Sequence, residues 1–361
     1  MRLHLDQNAF RVLINAIHEK TGYRTDVLEK DYYVVLILRE LADMQRDGLQ
    51  AYFKGGTALY KALKTTRRFS EDIDLSVDTR GCSTAQNNKR LERATKRYEA
   101  LPRDPSQSVT HRSEVISVYN YVPVTAYDAD DALQRFGKLK IEATSFTISE
   151  PTESLEVSAL IYDLADEDQR RILKSEYDVA PFQVQTITLE RIFIDKLFAA
   201  EAYVRKSDIE HRAFEAAKHI YDLAVMREHP KIVQLMQDAA QMEKLLNIRM
   251  TEEMERHDGI PGVLPREFTF FTDAAHKPEV RKAYDTMQRQ YVLREQDRIE
   301  FAAAALALDR ISEQLSANEA WQKCKMPLVS LDDRAPATYS ESKTGHEKRG
   351  MSKSRKRNPE R

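Results

Sequence analysis

The sequence is poor in cysteine and has no long apolar run. Its 361 residues include only Cys82 and Cys324, which excludes a disulfide framework and favours a reducing compartment. The longest apolar runs, residues 32–38 and 301–308, are far too short to cross a bilayer. No apolar stretch follows Met1, so no signal peptide is expected. We therefore expect a cytoplasmic protein that does not bind a membrane.

The chain also lacks a strong overall charge, but its charge is unevenly distributed. The formal net charge is −2, although 32% of the residues are charged. Residues 343–361 contain eight basic and two acidic side chains, a net charge of +6, which leaves residues 1–342 at −8. Nucleic acid would therefore have to bind local basic patches. One is the tail, and a second basic group lies near residue 64: Lys61, Lys64, Arg67 and Arg68.

One stretch combines glycines, a short amphipathic run and paired carboxylates. It covers residues 53–77 and reads FKGGTALYKALKTTRRFSEDIDLSV. Its glycines let backbone N–H groups approach a phosphate closely, and N–H groups at the start of a helix favour an anion. The alternation of polar and apolar residues near its end predicts a strand with Asp72 and Asp74 on one face. Two such carboxylates repel each other unless a cation lies between them, and Mg²⁺ suits their oxygen atoms.

This order of motifs resembles the polymerase-beta-like nucleotidyltransferases. Within that superfamily, the strings KGGTAL at residues 54–59 and RFSEDIDL at residues 68–75 look like the AbiEii toxin family. The alternative is a turn and an edge strand with solvated acids. Fourteen residues separate Thr57 from Asp72, more than in the simplest members of the superfamily. We therefore expect the intervening helix to run about one turn longer.

The resemblance assigns roles to residues of the motif and of a later strand. Mg²⁺, expected as two ions, would be held by three carboxylates that are also catalytic: Asp72, Asp74 and Glu142. The nucleotide would contact four residues of the first motif: Gly55, Gly56, Thr57 and Ser70. Glu142 lies in the alternating segment 138–144 and would also accept the proton of the attacking hydroxyl. The alternative for Glu142 is an exposed strand acid paired with a lysine across the sheet.

A lysine interrupts an apolar stripe that runs from Leu189 to Tyr203. A buried lysine is costly without a partner, so Lys196 implies an anion nearby. By resemblance this anion is the triphosphate of the nucleotide, which makes Lys196 catalytic and nucleotide-binding and adds Thr188 as a nucleotide-binding residue. Thr188 is also a good N-cap for this helix. The alternative is that Lys196 reaches water with its stem on the apolar surface.

Two further helices leave questions open. Asp222, in the helix expected at residues 209–227, resembles an aspartate that orients active-site groups and helps bind the nucleotide in the family. It could equally form a surface pair with Lys218 four residues earlier. In the helix expected at residues 25–44, Lys30 and Asp31 also resemble a family motif, but we expect them on a solvated face.

The expected fold is therefore α/β (α+β). A small mixed-sheet nucleotidyltransferase domain in residues 1–180 would precede a helical domain in residues 181–328. Residues 329–361, rich in charge and poor in large apolar side chains, are expected to form a disordered basic tail.

The resemblance to the AbiEii family implies the function of a Mg²⁺-dependent nucleotidyltransferase toxin. It would transfer a nucleoside monophosphate from an NTP to an acceptor hydroxyl, in a toxin–antitoxin or phage-defence (abortive infection) system with a cognate antitoxin protein. By the same resemblance, the best single candidate for the acceptor is RNA, at the 3′ end of tRNA. The alternatives are transfer to a protein or a small molecule, and an inactive nucleotide-binding or interaction module. The sequence specifies neither the base of the NTP, nor the antitoxin, nor the oligomeric state.

Overall fold

A mixed β-sheet forms the centre of the fold. The computed structural model describes residues 2–111, 113–126, 136–205, 209–254, 260, 262–273 and 277–327. The strands in this part of the chain are β1 (Ala51–Lys54), β2 (Ile73–Val77), β3 (Arg103–His111), β4 (Glu114–Asn120), β5 (Lys138–Thr144), β6 (Thr152–Val157) and β7 (Phe182–Ile187). They lie side by side in the order β3-β4-β5-β2-β1-β7-β6.

Helices surround the sheet and dominate the second half of the chain. Those that precede or interrupt the strands are α1 (Gln7–Thr21), α2 (Thr25–Arg46), α3 (Gly55–Lys61), α4 (Thr84–Lys96), α5 (Leu160–Asp163) and α6 (Glu167–Glu176). Those that follow are α7 (Leu189–Arg205), α8 (Ile209–Met226), α9 (Pro230–Gln237), α10 (Ala239–Glu253), α11 (Phe270–Asp273), α12 (Pro278–Tyr291), α13 (Phe301–Ala317) and α14 (Glu319–Lys323). None of the described helices is both long and apolar enough to span a membrane.

The register of the central strands brings polar residues together. Strand β2 pairs antiparallel with β1 and parallel with β5. Asp74 therefore lies opposite Lys54 on one side and opposite Glu142 on the other. The intervening positions point to the other face, where Ile73 and Ile141 are fully buried in the apolar core. The sheet thus has one apolar face and one charged face at its centre.

The expected fold class is confirmed by this arrangement. Strand β5 has the bounds of the alternating segment that contains Glu142, and α7 begins directly after Thr188 as expected. Neither β3 nor the order of the strands was predicted. The prediction of a longer helix after Thr57 is wrong, because α3 ends at Lys61 and residues 62–72 continue as a loop.

Charged residues of α2 are buried, contrary to the prediction of a solvated face. Lys30 and Asp31 are at most 1% exposed. The Lys30 ammonium lies 3.3 Å from a carboxylate oxygen of Glu71, and Asp31 accepts a hydrogen bond of 2.7 Å from Lys61. Asp31 also accepts a hydrogen bond of 2.6 Å from the backbone N–H of Leu160. These charges are tolerated in the interior because each has an opposite charge beside it.

The expected division into two domains at residue 180 stays a prediction. Residues 1–327 belong to one compact unit, in which the sheet and the helices pack together. The expected basic tail, residues 329–361, lies outside the described residues.

The Asp31–Lys61 pair predicts a specific stability effect. Lys61→Met keeps the apolar stem but leaves Asp31 buried without its cation. We expect the free energy of unfolding to fall by about 3–5 kcal/mol, as measured by chemical denaturation. The matched control is Lys64→Met, which removes an exposed lysine three residues away and should change the free energy by about 0.5 kcal/mol or less. Equal stability of the two variants would contradict the importance of the pair.

Candidate active site

Three carboxylates meet on the charged face of the sheet. Asp74 on β2 and Glu142 on β5 are direct neighbours across the parallel pair, and Asp72 immediately precedes β2. All three residues are partly buried and line one cavity of about 410 Å³, called here the larger cavity. The structure therefore brings together the carboxylates that the sequence singled out.

The crowding of negative charge changes the acidity of Asp74. Burial and the neighbouring Glu142 carboxylate raise the pKa of Asp74 to about 7, with a smaller contribution from Asp72. The carboxylate of Asp74 is therefore only partly ionised near neutral pH unless a further cation approaches it. Such a perturbed group in a cavity is a recurrent sign of a functional site.

A lysine lies between two of the carboxylates. The Lys140 ammonium is 3.0 Å from Glu142 Oε2 and 3.5 Å from Asp72 Oδ2. Burial alone would lower the pKa of Lys140, but the carboxylates of Asp72 and Glu142 raise it above its usual range. Burial alone would likewise raise the pKa of Glu142, but Lys140 lowers it. Glu142 is thus paired with a lysine of its own strand, and that lysine also contacts Asp72 just before β2.

The donor chemistry of the three carboxylates fits Mg²⁺, which prefers carboxylate oxygen. Burial and the nearby carboxylates of Glu142 and Asp72 raise the pKa of Asp74, and a bound cation would favour its ionised form. However, among the residues that the structure describes, no group of three or more His, Cys, Asp or Glu side chains is arranged as a metal centre. In this arrangement the ammonium of Lys140 supplies the cation between Asp72 and Glu142.

The glycines allow α3 to start beside the carboxylates. Gly55 has a φ of 79°, and a Cβ atom there would collide with the carboxylate of Asp74. A Cβ atom at Gly56 would lie 2.9 Å from Ser70 Oγ. The Thr57 hydroxyl is buried and donates a hydrogen bond to the carbonyl oxygen of Asp72, which ties the helix to the strand. The side chain of Thr57 therefore holds the motif together, and the two glycines line the cavities.

Lys196 remains within the apolar stripe of α7, where it is 5% exposed. Its ammonium lies 2.6 Å from Asp222 Oδ2, so the expected anion is present in the protein itself. Arg68 donates two hydrogen bonds to the same carboxylate, of 2.8 Å from Nε and 2.7 Å from Nη2. Burial alone would raise the pKa of Asp222, but these two cations hold it well below its usual range. The alternative of a surface pair between Lys218 and Asp222 is wrong, because Asp222 is fully buried.

A smaller cavity of about 170 Å³ adjoins the larger one. The lining residues that the two cavities share include Gly55, Asp72, Asp74 and Lys196. Gly56 and Ser70 line only the smaller one, and Glu142 lines only the larger one.

Two predicted nucleotide-binding residues are not brought to these cavities. Asp222 lies beneath Lys196, and neither Asp222 nor Thr188 is among the described residues that line them. Thr188 stands immediately before α7, but its buried hydroxyl has no hydrogen-bond partner among the described residues. A direct contact of either side chain with nucleotide stays a prediction.

Sequence reasoning assigned no catalytic-site role to Arg68 or to Lys140. A signal for Lys140 was available, since it shares a strand face with Glu142 two residues later. Arg68 opens the string RFSEDIDL, but its pairing with Asp222 could not be predicted, because the two residues are 154 positions apart in the chain.

Comparison with known proteins agrees with the resemblance. The profile of the nucleotidyl transferase AbiEii toxin family, of type IV toxin–antitoxin systems, matches residues 36–311. Among solved structures, MenT4, a nucleotidyltransferase toxin from Mycobacterium tuberculosis, is 17% identical, with a TM-score of 0.40 over 82% of this chain and 98% of that one. A putative nucleotidyltransferase from H. pylori is also 17% identical, with a TM-score of 0.37 over 81% of this chain and 96% of that one. No protein of curated function matches the sequence.

The Arg68–Asp222–Lys196 cluster predicts an asymmetry between two variants. Asp222→Asn leaves two buried cations without their carboxylate, and we expect the free energy of unfolding to fall by about 3–5 kcal/mol. Lys196→Met leaves Asp222 with both hydrogen bonds from Arg68, and we expect a loss of about 1 kcal/mol. Chemical denaturation of both variants measures the difference. If Lys196→Met and Asp222→Asn lowered the free energy of unfolding equally, Arg68 alone would not be sufficient to neutralise Asp222.

The contact between Gly55 and Asp74 predicts a local effect on ligand binding. Gly55→Ala forces the Asp74 carboxylate to move, so we expect at least tenfold weaker NTP binding in a titration. Gly48→Ala is the matched control, because Gly48 also has a positive φ, 84°, but no atom lies within 4 Å of the added Cβ. Both variants should lose about 1 kcal/mol of stability from backbone strain. Equal NTP affinity in the two variants would contradict a role for this close approach.

Proposed function

The chain belongs to the nucleotidyl transferase AbiEii toxin family, and on that premise we propose that it transfers a nucleoside monophosphate from an NTP to an acceptor hydroxyl with release of pyrophosphate. The family is that of type IV toxin–antitoxin systems, which implies an antitoxin partner. The proposal concerns the substrates, the metal and the roles of individual residues.

The observation that supports this function best is the convergence of three features on the larger cavity. The carboxylates of Asp72, Asp74 and Glu142 line it, together with the first residue of α3, Gly55, and the ammonium of Lys196. Carboxylates beside backbone N–H groups and a buried cation suit a substrate that has both phosphates and a bound divalent ion.

Each residue has a distinct proposed task. The backbone N–H groups of Gly55 and Gly56 bind the phosphates, and Lys196 neutralises the outer phosphates as charge develops on the leaving group. Mg²⁺ held by Asp72, Asp74 and Glu142 would supply Lewis-acid stabilisation of the attacking and leaving oxygens. Glu142 accepts the proton of the acceptor hydroxyl. Asp222 and Arg68 act indirectly, because they fix the position of Lys196.

The proposed acceptor is the 3′ end of tRNA. A terminal sugar hydroxyl is exposed and can enter the cavity without extraction of a base from a duplex. The structure reduces the number of basic residues that are accessible to an RNA backbone. Lys61 and Arg68 are buried in ion pairs, whereas Lys64 and Arg67 are exposed. Arg67 pairs with Asp297 and is 61% exposed, so it can still contact a phosphate.

The direct experiment uses each of the four labelled NTPs with total cellular RNA and Mg²⁺. We expect label in RNA with the wild-type protein and at least a hundredfold less with Asp72→Asn or Asp74→Asn. The matched control is Asp78→Asn, because Asp78 follows the same strand but pairs with the exposed Arg80. Asp72→Asn and Asp74→Asn should remain folded, since removal of one of several repelling carboxylates does not destabilise the metal-free protein. Asp78→Asn should also remain folded, because it removes only an ion pair with the exposed Arg80.

Different outcomes contradict different parts of the proposal. Transfer at the wild-type rate by Asp74→Asn would exclude the carboxylate site. Label that appears only in protein or in a small molecule would exclude RNA as the acceptor but retain the transferase. Absence of any transfer, with NTP still bound, would favour an inactive nucleotide-binding module.

A further inference from the structure

Two aromatic side chains of the larger cavity do not take part in the apolar core. Nearly all phenylalanines and tyrosines of the described chain belong to that core or pack against it; the exceptions are Phe146 and Tyr203. Both are partly buried, and both line the larger cavity. Because core packing does not account for them, they are candidates for contact with a ligand.

Helix α7 forms one continuous wall of this cavity. Its lining residues recur at helical spacing: Ile192, Asp195, Lys196, Ala199, Ala202 and Tyr203. Tyr203 follows Lys196 by seven residues, which is about 10 Å along the helix axis. This separation is comparable with the distance from the phosphates to the base in an extended nucleotide. The small side chains of Ala199 and Ala202 leave space along the wall between them.

The Tyr203 ring is held in a stack. It lies against the ring of His219, with centroids 5.4 Å apart and an interplanar angle of 26°. His219 in turn has its Nδ1 atom 3.5 Å from the ammonium of Lys196. Burial, and then the charge of Lys196, lower the pKa of His219 well below its usual range, so the imidazole is neutral. A neutral ring can pack beside Lys196 without charge repulsion, which gives the wall a fixed aromatic section.

The loop that bears Phe146 is fixed from the other side. It follows β5, and the backbone N–H of Ile148 donates a hydrogen bond of 2.5 Å to Glu252 Oε1 on α10. Arg191 on α7 donates to the carbonyl oxygen of Ile148, at 3.3 Å, and pairs with Glu252 at 2.5 Å. Arg191 and Glu252 are at most 2% exposed. This buried pair therefore positions the Phe146 loop at the cavity.

We propose that Phe146 and Tyr203 form the binding site for the base of the NTP, with its phosphates towards Lys196 and Gly55. The inference rests on the proposed function, since it requires a nucleoside triphosphate in the larger cavity. Stacking on aromatic side chains tolerates every base because each base has a π-face. The two residues therefore contribute affinity for the nucleoside half of the substrate, and the charged residues bind its triphosphate half.

Two probes test the binding of the nucleoside half and of the triphosphate half of the substrate separately. Equilibrium titrations with each NTP and with inorganic tripolyphosphate, under the same Mg²⁺ concentration, are compared for wild type, Phe146→Ala, Tyr203→Ala and Tyr203→Phe. We expect about tenfold weaker NTP binding for each alanine variant and unchanged tripolyphosphate binding. Tyr203→Phe keeps the ring and should bind NTP like wild type. Tyr162→Ala is the control, because Tyr162 is a partly buried tyrosine outside both cavities.

The outcomes distinguish this inference from the proposed function. NTP affinity that is unchanged in both alanine variants would overturn the base site. An equal loss of NTP and tripolyphosphate binding would also overturn it, because it would indicate a general disturbance of the cavity. Should Tyr203→Ala fail to fold, as judged by circular dichroism, Phe146→Ala still decides, since Phe146 lies on a loop. A wild-type protein that binds no NTP would instead refute the proposed function.

Discussion

The geometry of the site depends on the ion pairs that the Asp222 carboxylate forms. This carboxylate binds Arg68 from the loop before β2 and Lys196 from α7, and it lies on α8. All three charged groups are buried, and each would cost several kcal/mol in the interior without the others. The loop and the two helices are therefore constrained to meet at one point. That point lies directly beside the carboxylates of β2, since Lys196 and Asp74 line the same cavities.

Two charged clusters of different composition result from this arrangement. At the sheet, the carboxylates of Asp72, Asp74 and Glu142 lie close together, and burial and the neighbouring carboxylates raise the pKa of Asp74. At the helices, the carboxylate of Asp222 pairs with two cations, Arg68 and Lys196. A divalent ion bound to a triphosphate has the complementary distribution, with a cationic centre and anionic outer phosphates. Burial and nearby charges of the same sign raise the pKa of Asp74 and lower the pKa of Lys196.

Local patterns in the sequence were sufficient to identify the carboxylates of the sheet, but neither β3 nor the order of the strands was predicted. Alternation alone placed Asp72 and Asp74 on one strand face, and the glycines marked the close approach of a backbone. Contacts between distant segments were not predictable in the same way. Charges on a helix are usually solvated, and nothing near Lys30 indicates that Glu71 will lie beside it in the core. The position of Tyr203 in the wall of the cavity was equally unpredictable, because Tyr203 fits the apolar stripe of α7 whether it faces the core or a cavity.

The end of α3 shows why one local prediction was wrong and what the difference does for the site. The amphipathic pattern continues past Lys61, and no glycine marks a stop. The chain nevertheless leaves the helix, with the backbone N–H of Leu63 bonded to the carbonyl oxygen of Ala58 and with Lys64 at a φ of 50°. A lysine in this left-handed conformation costs about 1 kcal/mol or more, and sequence patterns assign the position to glycine. The ion pair between Arg68 and the buried carboxylate of Asp222 offsets this strain. The pair can form because residues 62–72 leave the helix and continue as a loop.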